Sequence, residues 1–189
     1  MSEVRKHMIP KHMDPPLLHI YDATDRGTRL TAWIRRNSWR SNVYPLPIED
    51  GLAGLMRALD KLSAERKTFQ HCLIETHGNA GVIFFKGEFL DGQRLTIFFG
   101  GRGYESIFPH WSRIYFNGCN IADDDKGWNL LDAAGQVFLR IGGGETFAST
   151  RFGSLYPWDY LNGHIYHIAS DTCYSRWFPG GVFRDHVRQ

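Results

Sequence analysis

Two short apolar segments constrain the fold of this chain most, because each stops at a small residue beside a chemically capable side chain. The segments are Cys72–Gly78 and Ile114–Cys119. Runs of β-branched and aromatic residues that stop at glycine predict buried strands giving way to loops. In an open parallel sheet, residues just past the carboxyl ends of the strands face the crevice where ligands bind. We therefore expect His77 and Cys119 to lie side by side, although 42 positions separate them.

The clearest helix precedes the first of these segments. Apolar residues recur at offsets of three and four from Leu52 to Leu62, and Asp50 is expected to cap the amino end. This helix leads through Lys67 into the strand ending at His77, which is the α-then-β connection that a parallel sheet requires. A second helix is predicted from about Trp128 to Leu139, with a run of glycines as its stop.

Shorter elements complete the predicted fold. The apolar runs 17–21 and 146–150 are typical of strands. The prolines within residues 43–47 favour an extended backbone there, and residues 82–92 resemble a hairpin. Residues 30–34 fit a strand or a helical turn, and 95–99 form another apolar run that ends at glycines. We expect one α/β domain over residues 17–189, a three-layer α/β/α sandwich with a mainly parallel sheet, after a flexible lead-in of residues 1–16.

Composition excludes several classes of partner. The chain has 189 residues, 42% of them apolar and 14% aromatic, which indicates a folded globular protein. Its net charge of +2, with scattered basic residues, gives no electrostatic case for nucleic acid. No apolar stretch is long enough for a membrane span or a signal peptide. We expect a cytoplasmic protein, with export by a route that needs no cleaved signal as the alternative, and the oligomeric state stays open.

The three cysteines indicate free thiols rather than a disulfide framework. Cys72, Cys119 and Cys173 cannot all pair within the chain, and the sequence has no CxxC motif. A thiol acts as a nucleophile through its thiolate, which a neighbouring imidazole can generate near neutral pH. His77 and Cys119 could do this chemistry, with the backbone N–H groups of Gly78 and Cys119 binding an oxyanion. The alternative is that Cys119 is a small buried residue and His77 an ordinary loop histidine.

The motifs around this pair resemble the caspase-like (caspase and gingipain type) fold of cysteine peptidases. They are most similar to a bacterial branch found in large surface and adhesin-type proteins, whose pattern has Ser-His-Gly-x-x-Gly, Gly-Cys-Asn, a helix begun by glycine and a strand ending Ala-Ser-Thr. This chain has corresponding motifs in the same order, with Thr in place of the Ser: Thr76–Gly81, Gly118–Asn120, Gly127 and Ala148–Thr150. The resemblance covers roughly residues 43–153.

By this resemblance, His77 would be the general base and Cys119 the nucleophile of an endopeptidase. The peptide bond would be cleaved through a thioester acyl-enzyme, with a protein or peptide substrate and no cofactor. Two alternatives stay open: a catalytically silent binding module with the same fold, and a secreted effector or toxin domain that uses the same pair of residues on another acyl bond.

Four residues are candidates for a substrate pocket. Basic-selective members of the wider fold often carry an acidic residue two positions before the cysteine, where this chain has Asn117. Glu75, or Asp123 in the acidic triplet 123–125, could supply the charge instead, although an acidic loop before a helix is the simpler interpretation of that triplet. Ser149, near the end of the Ala-Ser-Thr strand, completes the set.

A metal site is not predicted. His164, His167 and Cys173 have metal-ligating side chains, but they offer one short pair without a second cluster. Ordinary surface or core histidines are the favoured interpretation.

Overall fold

The computed structural model describes residues 16–38, 43–149 and the backbone of 173–178. Nine strands, four α-helices and a short 3₁₀ helix are present among these residues. In chain order they are β1 (Leu17–Asp22), α1 (Arg26–Ser38), β2 (Val43–Ile48), α2 (Gly51–Ala64), β3 (His71–Glu75), β4 (Gly78–Asn79), β5 (Val82–Phe85), β6 (Glu88–Asp91), α3 (Gly92–Phe99), the 3₁₀ helix (Tyr104–Ile107), β7 (Ser112–Asn117), α4 (Asp124–Phe138), β8 (Gly144–Ser149) and β9 (Cys173–Phe178).

A six-stranded sheet in the order β2-β1-β3-β7-β8-β9 forms the centre of the protein. The first five strands run parallel, and β9 runs antiparallel to β8 at one edge. A second, antiparallel sheet consists of β4, β5 and β6 and directly follows the carboxyl end of β3. The predicted α/β class and the mainly parallel sheet flanked by helices are confirmed.

Helices cover both faces of the central sheet. Alternate residues of a strand point to opposite faces, so Leu18 and Ile20 of β1 contact the cluster that includes the leucines of α2 and α4. Tyr21, on the other face, packs with Ala32 of α1. Strands β1 and β3, in the interior of the sheet, are buried along their whole length, which explains their mostly apolar sequences.

Helix α2 confirms the periodicity but not the predicted cap. Its buried side chains include Leu52, Leu55, Leu59 and Leu62, all 6% exposed or less. The Asp50 side chain makes no capping hydrogen bond. Instead, the Leu52 N–H donates to the Glu88 carboxylate at 3.0 Å, so a residue of β6 satisfies the helix end.

Three segments are helical although the sequence did not predict a helix there. Residues 30–34 lie within α1, and residues 95–99 belong to α3. The Asp91 carboxylate caps α3 by accepting the Arg94 N–H at 2.8 Å. Helix α4 begins at Asp124, four residues earlier than predicted, because two residues of the acidic triplet form its first turn.

Some predictions fall outside the described residues. The lead-in of residues 1–15, Thr150 at the end of the Ala-Ser-Thr motif, and the histidines His164 and His167 belong to this group. In the described part of the chain, no helix is long and apolar enough to cross a membrane.

Candidate active site

His77 and Cys119 follow neighbouring strands at the same height. Strands β3 and β7 are paired in parallel, with Glu75 opposite Asn117, and each candidate residue lies two positions beyond this matched pair. The pairing continues one step further, because the Thr76 N–H donates to the Asn117 carbonyl at 3.3 Å. Neighbouring strands are about 5 Å apart, so the two loop segments adjoin at one edge of the sheet. The tertiary structure thus brings the two candidate residues to adjoining strand ends.

Two glycines permit this close approach. A Cβ atom on Gly118 would lie 2.7 Å from the carbonyl oxygen of Thr76, and one on Gly78 would lie 2.3 Å from Ile121 Cγ1. Both distances are shorter than real Cβ contacts, so any larger residue would push the two loops apart. The glycine beside each candidate residue is therefore required by packing.

The turn after Cys119 also has a specific backbone requirement. Asn120 has a φ angle of +54°, in the left-handed region that asparagine tolerates better than most residues. Cys119 itself is partly buried and is a free thiol. The Gly-Cys-Asn sequence is thus explained by the local backbone: close approach before the cysteine and a left-handed turn after it.

The Nε2 atom of the His77 ring lies beside the Asp25 carboxylate. His77 is exposed, with 67% of its side chain accessible, and its Nε2 lies 3.3 Å from Asp25 Oδ2. Between these described residues, no hydrogen bond joins the His77 ring to the Cys119 sulfur. Catalytic hydrogen bonds are often long without a substrate and form fully only in the complex. Because Nε2 lies beside Asp25, Nδ1 is the ring nitrogen that stays outside this contact.

Asp25 lies in the loop between β1 and α1 and is also a helix cap. Its Oδ1 accepts the backbone N–H of Thr28 at 2.8 Å, so Asp25 satisfies a free N–H in the first turn of α1. The Thr28 N–H is the largest cause that lowers the pKa of Asp25, and His77 lowers it further, against the opposing effect of partial burial. Asp25 is therefore ionised at neutral pH.

The N–H of Gly78 points away from β5, the strand that pairs with β4 to form the hairpin after His77. In that ladder the Phe84 N–H donates to the His77 carbonyl at 3.0 Å, and Gly78 faces Ile83 in the next pair. Hydrogen-bonded and non-hydrogen-bonded pairs alternate in an antiparallel ladder, so Gly78 belongs to a non-bonded pair. Its N–H is directed away from β5, as an oxyanion donor requires.

The hairpin is tied to the end of β3 by Thr76. The Thr76 hydroxyl donates to the Phe84 carbonyl. A serine has the same hydroxyl, so Thr76 retains the hydrogen-bonding group of the residue it replaces in the motif.

Two of the predicted pocket residues are joined in a buried polar cluster. Glu75 Oε2 lies 2.9 Å from His19 Nε2, and Glu75 Oε1 accepts the Asn117 amide at 3.2 Å. All three side chains are at most 5% exposed, and they span β1, β3 and β7. Glu75 and Asn117 are the last residues of β3 and β7, so this cluster lies two residues before His77 and Cys119 along each chain segment.

The other two predicted pocket residues lie at the same edge of the sheet. Asp123 is exposed and precedes α4, without a side-chain capping bond. Ser149 is the last residue of β8, next to β7. Its side chain is outside the described part of the structure.

Sequence reasoning missed Asp25 and His19. Asp25 carried a local signal, since aspartate is a preferred residue at the amino end of a helix. The signal was not recognised because residues 30–34 fitted a strand as well as a helix. His19 had no local signal, because only the pairing of β1 with β3 brings it to Glu75.

The remaining thiol with a described side chain is a core residue. Cys72 is 1% exposed, and burial raises the pKa of its thiol well above the usual range. His71, the residue before it in β3, is also buried, with 8% of its surface exposed. Within the described residues, no group of three or more metal-ligating side chains is placed to hold an ion.

The sequence matches no protein-family model, and its comparison with curated proteins finds no significant match. The geometry and chemistry of the described residues must therefore carry the functional argument.

Proposed function

We propose that this protein is a cysteine hydrolase of caspase-like fold, most specifically an endopeptidase. His77 removes the proton from the Cys119 thiol, and the thiolate attacks the carbonyl carbon of a peptide bond. The backbone N–H groups of Gly78 and Cys119 bind the oxyanion. The protonated imidazole then gives its proton to the leaving amine, and water releases the thioester.

The proposal rests mainly on one observation. His77 and Cys119 each lie two residues beyond the matched pair Glu75 and Asn117, at the ends of neighbouring parallel strands. Nucleophilic catalysis needs an imidazole and a thiol at one rim with an N–H group directed at the reacting carbonyl. The N–H of Gly78, which is directed away from β5, supports the third requirement. Asp123 and Ser149, at the same edge, are candidates for substrate contacts.

The packing of the remaining motif glycines supports the caspase-like assignment. A Cβ on Gly81 would lie 2.4 Å from the Lys126 carbonyl, and one on Gly127 would lie 2.4 Å from the Ala122 carbonyl carbon. These contacts hold the loop after Cys119 between the hairpin and α4. Each of the four glycines of the sequence pattern thus has a structural reason within one loop cluster, which supports the assignment.

A catalytically silent binding module is the second candidate, and one observation favours it. The His77 ring is 67% exposed and contacts Asp25, without a hydrogen bond to the Cys119 sulfur. A module that keeps the fold without the activity needs no such bond. Thiol reactivity separates the two candidates.

The test is alkylation by an epoxide or chloromethyl electrophile at about pH 6.5, followed by peptide mass spectrometry. We expect one fast adduct on Cys119 that is lost in His77→Ala, with buried Cys72 as an internal unreactive control. Equal labelling of Cys119 in the wild type and in His77→Ala would refute the proposed base.

The hydrolase activity is tested with a proteome-derived peptide library. Wild-type protein should create new peptide amino termini, and Cys119→Ala should create none. Cleavage that persists in Cys119→Ala would remove the proposal, whereas fast alkylation without any cleavage would favour the binding module.

A further inference from the structure

We propose that Asp25 is a positioning residue that orients the His77 ring toward Cys119. The inference rests on the proposed function and adds a third member to the site. It assigns a role to a loop that the sequence motifs do not include, the loop between β1 and α1.

The two oxygens of Asp25 have separate partners. Oδ1 accepts the Thr28 N–H at 2.8 Å, and Oδ2 lies 3.3 Å from His77 Nε2. A carboxylate held by one oxygen on a helix end has little freedom to rotate, so the direction of its second oxygen is fixed. That second oxygen selects Nε2 as the ring nitrogen that faces the carboxylate and leaves Nδ1 for the thiol.

The loop that carries Asp25 is itself held by hydrogen bonds. The buried Asp22 carboxylate accepts both the N–H and the hydroxyl of Thr24, at 2.9 and 2.7 Å. The Ala23 N–H donates to the Ile48 carbonyl of β2 at 2.9 Å. Asp22 also accepts the Lys86 N–H at 3.0 Å. This bond joins the loop to the turn between β5 and β6, in the small sheet that follows His77. The carboxylate and the imidazole are therefore fixed to the same framework.

The charge state of Asp25 is the one that this role requires. The helix N–H lowers the pKa of Asp25, so the carboxylate is ionised wherever His77 could act as a base. An ionised carboxylate orients an imidazole and stabilises the imidazolium that forms when the thiol loses its proton. Because the His77 side chain is largely exposed, the expected effect is that of a solvent-screened pair.

A purely structural role is the competing explanation, since Asp25 also caps α1. Two substitutions separate the roles. Asparagine and serine are both good helix caps, so Asp25→Asn and Asp25→Ser should keep α1 in place. Asparagine removes the charge that faces His77, and serine is in addition too short to reach the ring.

The matched control is Asp91→Asn. Asp91 caps α3 through the Arg94 N–H at 2.8 Å, the same distance as in the α1 cap, and it does not contact His77. This variant therefore repeats the change of cap without changing the surroundings of the imidazole.

The measurement is the rate of Cys119 alkylation by iodoacetamide from about pH 5.5 to 9.5, together with thermal melting of each variant. We expect Asp25→Asn and Asp25→Ser to lower the rate about 3- to 5-fold near pH 6.5, the size of a screened charge pair. The rates should converge with the wild type at high pH, where the thiolate forms without help. Asp91→Asn should follow the wild-type profile throughout.

Two outcomes would overturn the inference, and they are distinguishable. If both Asp25 variants keep the wild-type profile while His77→Ala changes it, Asp25 is a helix cap only and the proposed function stands. If His77→Ala also keeps the wild-type profile, the proposed function fails together with the role of Asp25.

Discussion

Replacing Glu75 with alanine is expected to destabilise the protein by about 3–5 kcal/mol, the usual effect of removing one partner from a buried pair. The Glu75 side chain is 3% exposed, and its two oxygens bind His19 at 2.9 Å and Asn117 at 3.2 Å. The change removes the oxygen atoms that bind the buried His19 and Asn117 side chains. The loss of such a hydrogen bond to a buried group costs about 1–3 kcal/mol. For a chain of this size, the melting temperature should fall by about 10 °C.

Urea unfolding followed by circular dichroism measures this effect. With a slope of about 2 kcal/mol/M, the midpoint of Glu75→Ala should lie about 2 M lower than that of the wild type. The matched control is Glu65→Ala, because Glu65 pairs with Lys67 at 3.3 Å on the surface with 38% of its side chain exposed. That change should cost less than about 1 kcal/mol.

A double-mutant cycle tests whether the cost arises from the pair itself. The combined His19→Leu and Glu75→Leu protein should be more stable than the sum of the two single changes predicts, by about 0.5–3 kcal/mol. The reasoning is wrong if Glu75→Ala is no less stable than Glu65→Ala, or if the cycle is additive to within about 0.5 kcal/mol.

Three further changes have defined outcomes. Gly118→Ala would set a Cβ 2.7 Å from the Thr76 carbonyl oxygen, so urea unfolding should show a loss of about 1–3 kcal/mol, and an unchanged midpoint would contradict the close approach. Burial raises the pKa of the Cys72 thiol. The unfolded chain therefore loses this proton at a lower pH than the folded protein does. The buried neutral thiol makes its full contribution to the free energy of unfolding below the usual thiol pKa, and this contribution decreases as pH rises above it. Between about pH 8 and pH 10, the free energy of unfolding should fall by about 1.4 kcal/mol more in the wild type than in Cys72→Ala. Equal decreases would show that folding does not keep the thiol protonated. Asp91→Ala removes the cap of α3, where the Arg94 N–H donates at 2.8 Å, and should cost about 1 kcal/mol, whereas Asp91→Asn should cost little; equal costs would contradict the capping role.

The strands that end shortly before His77 and Cys119 could be anticipated from local patterns. The apolar segments before the two residues are short and end at glycine, and an amphipathic helix precedes the first of them. Such patterns depend on neighbours in the sequence, so they predict β3, β7 and α2 with nearly correct ends. The expectation that their carboxyl ends adjoin then follows from parallel pairing.

Long-range contacts were beyond the sequence. The cap of α2 comes from Glu88, which lies 36 residues from Leu52, while the adjacent Asp50 instead pairs with Arg57 at 2.6 Å. Capping preference predicts a suitable residue type at a position, but it does not predict which of several carboxylates reaches the helix end. The burial of a histidine such as His71 is beyond the sequence for the same reason, because exposure depends on what the rest of the chain covers.

The sequence by itself determined an α/β chain with an imidazole and a thiol at the ends of two apolar strands. Periodicity and glycine positions are local properties, and they suffice for this conclusion. Only the tertiary structure decided that Asp25 faces the imidazole and that His19 and Asn117 share the buried carboxylate of Glu75. These contacts join residues of different strands and loops, and their formation depends on the register and order of the sheet, which no local pattern specifies.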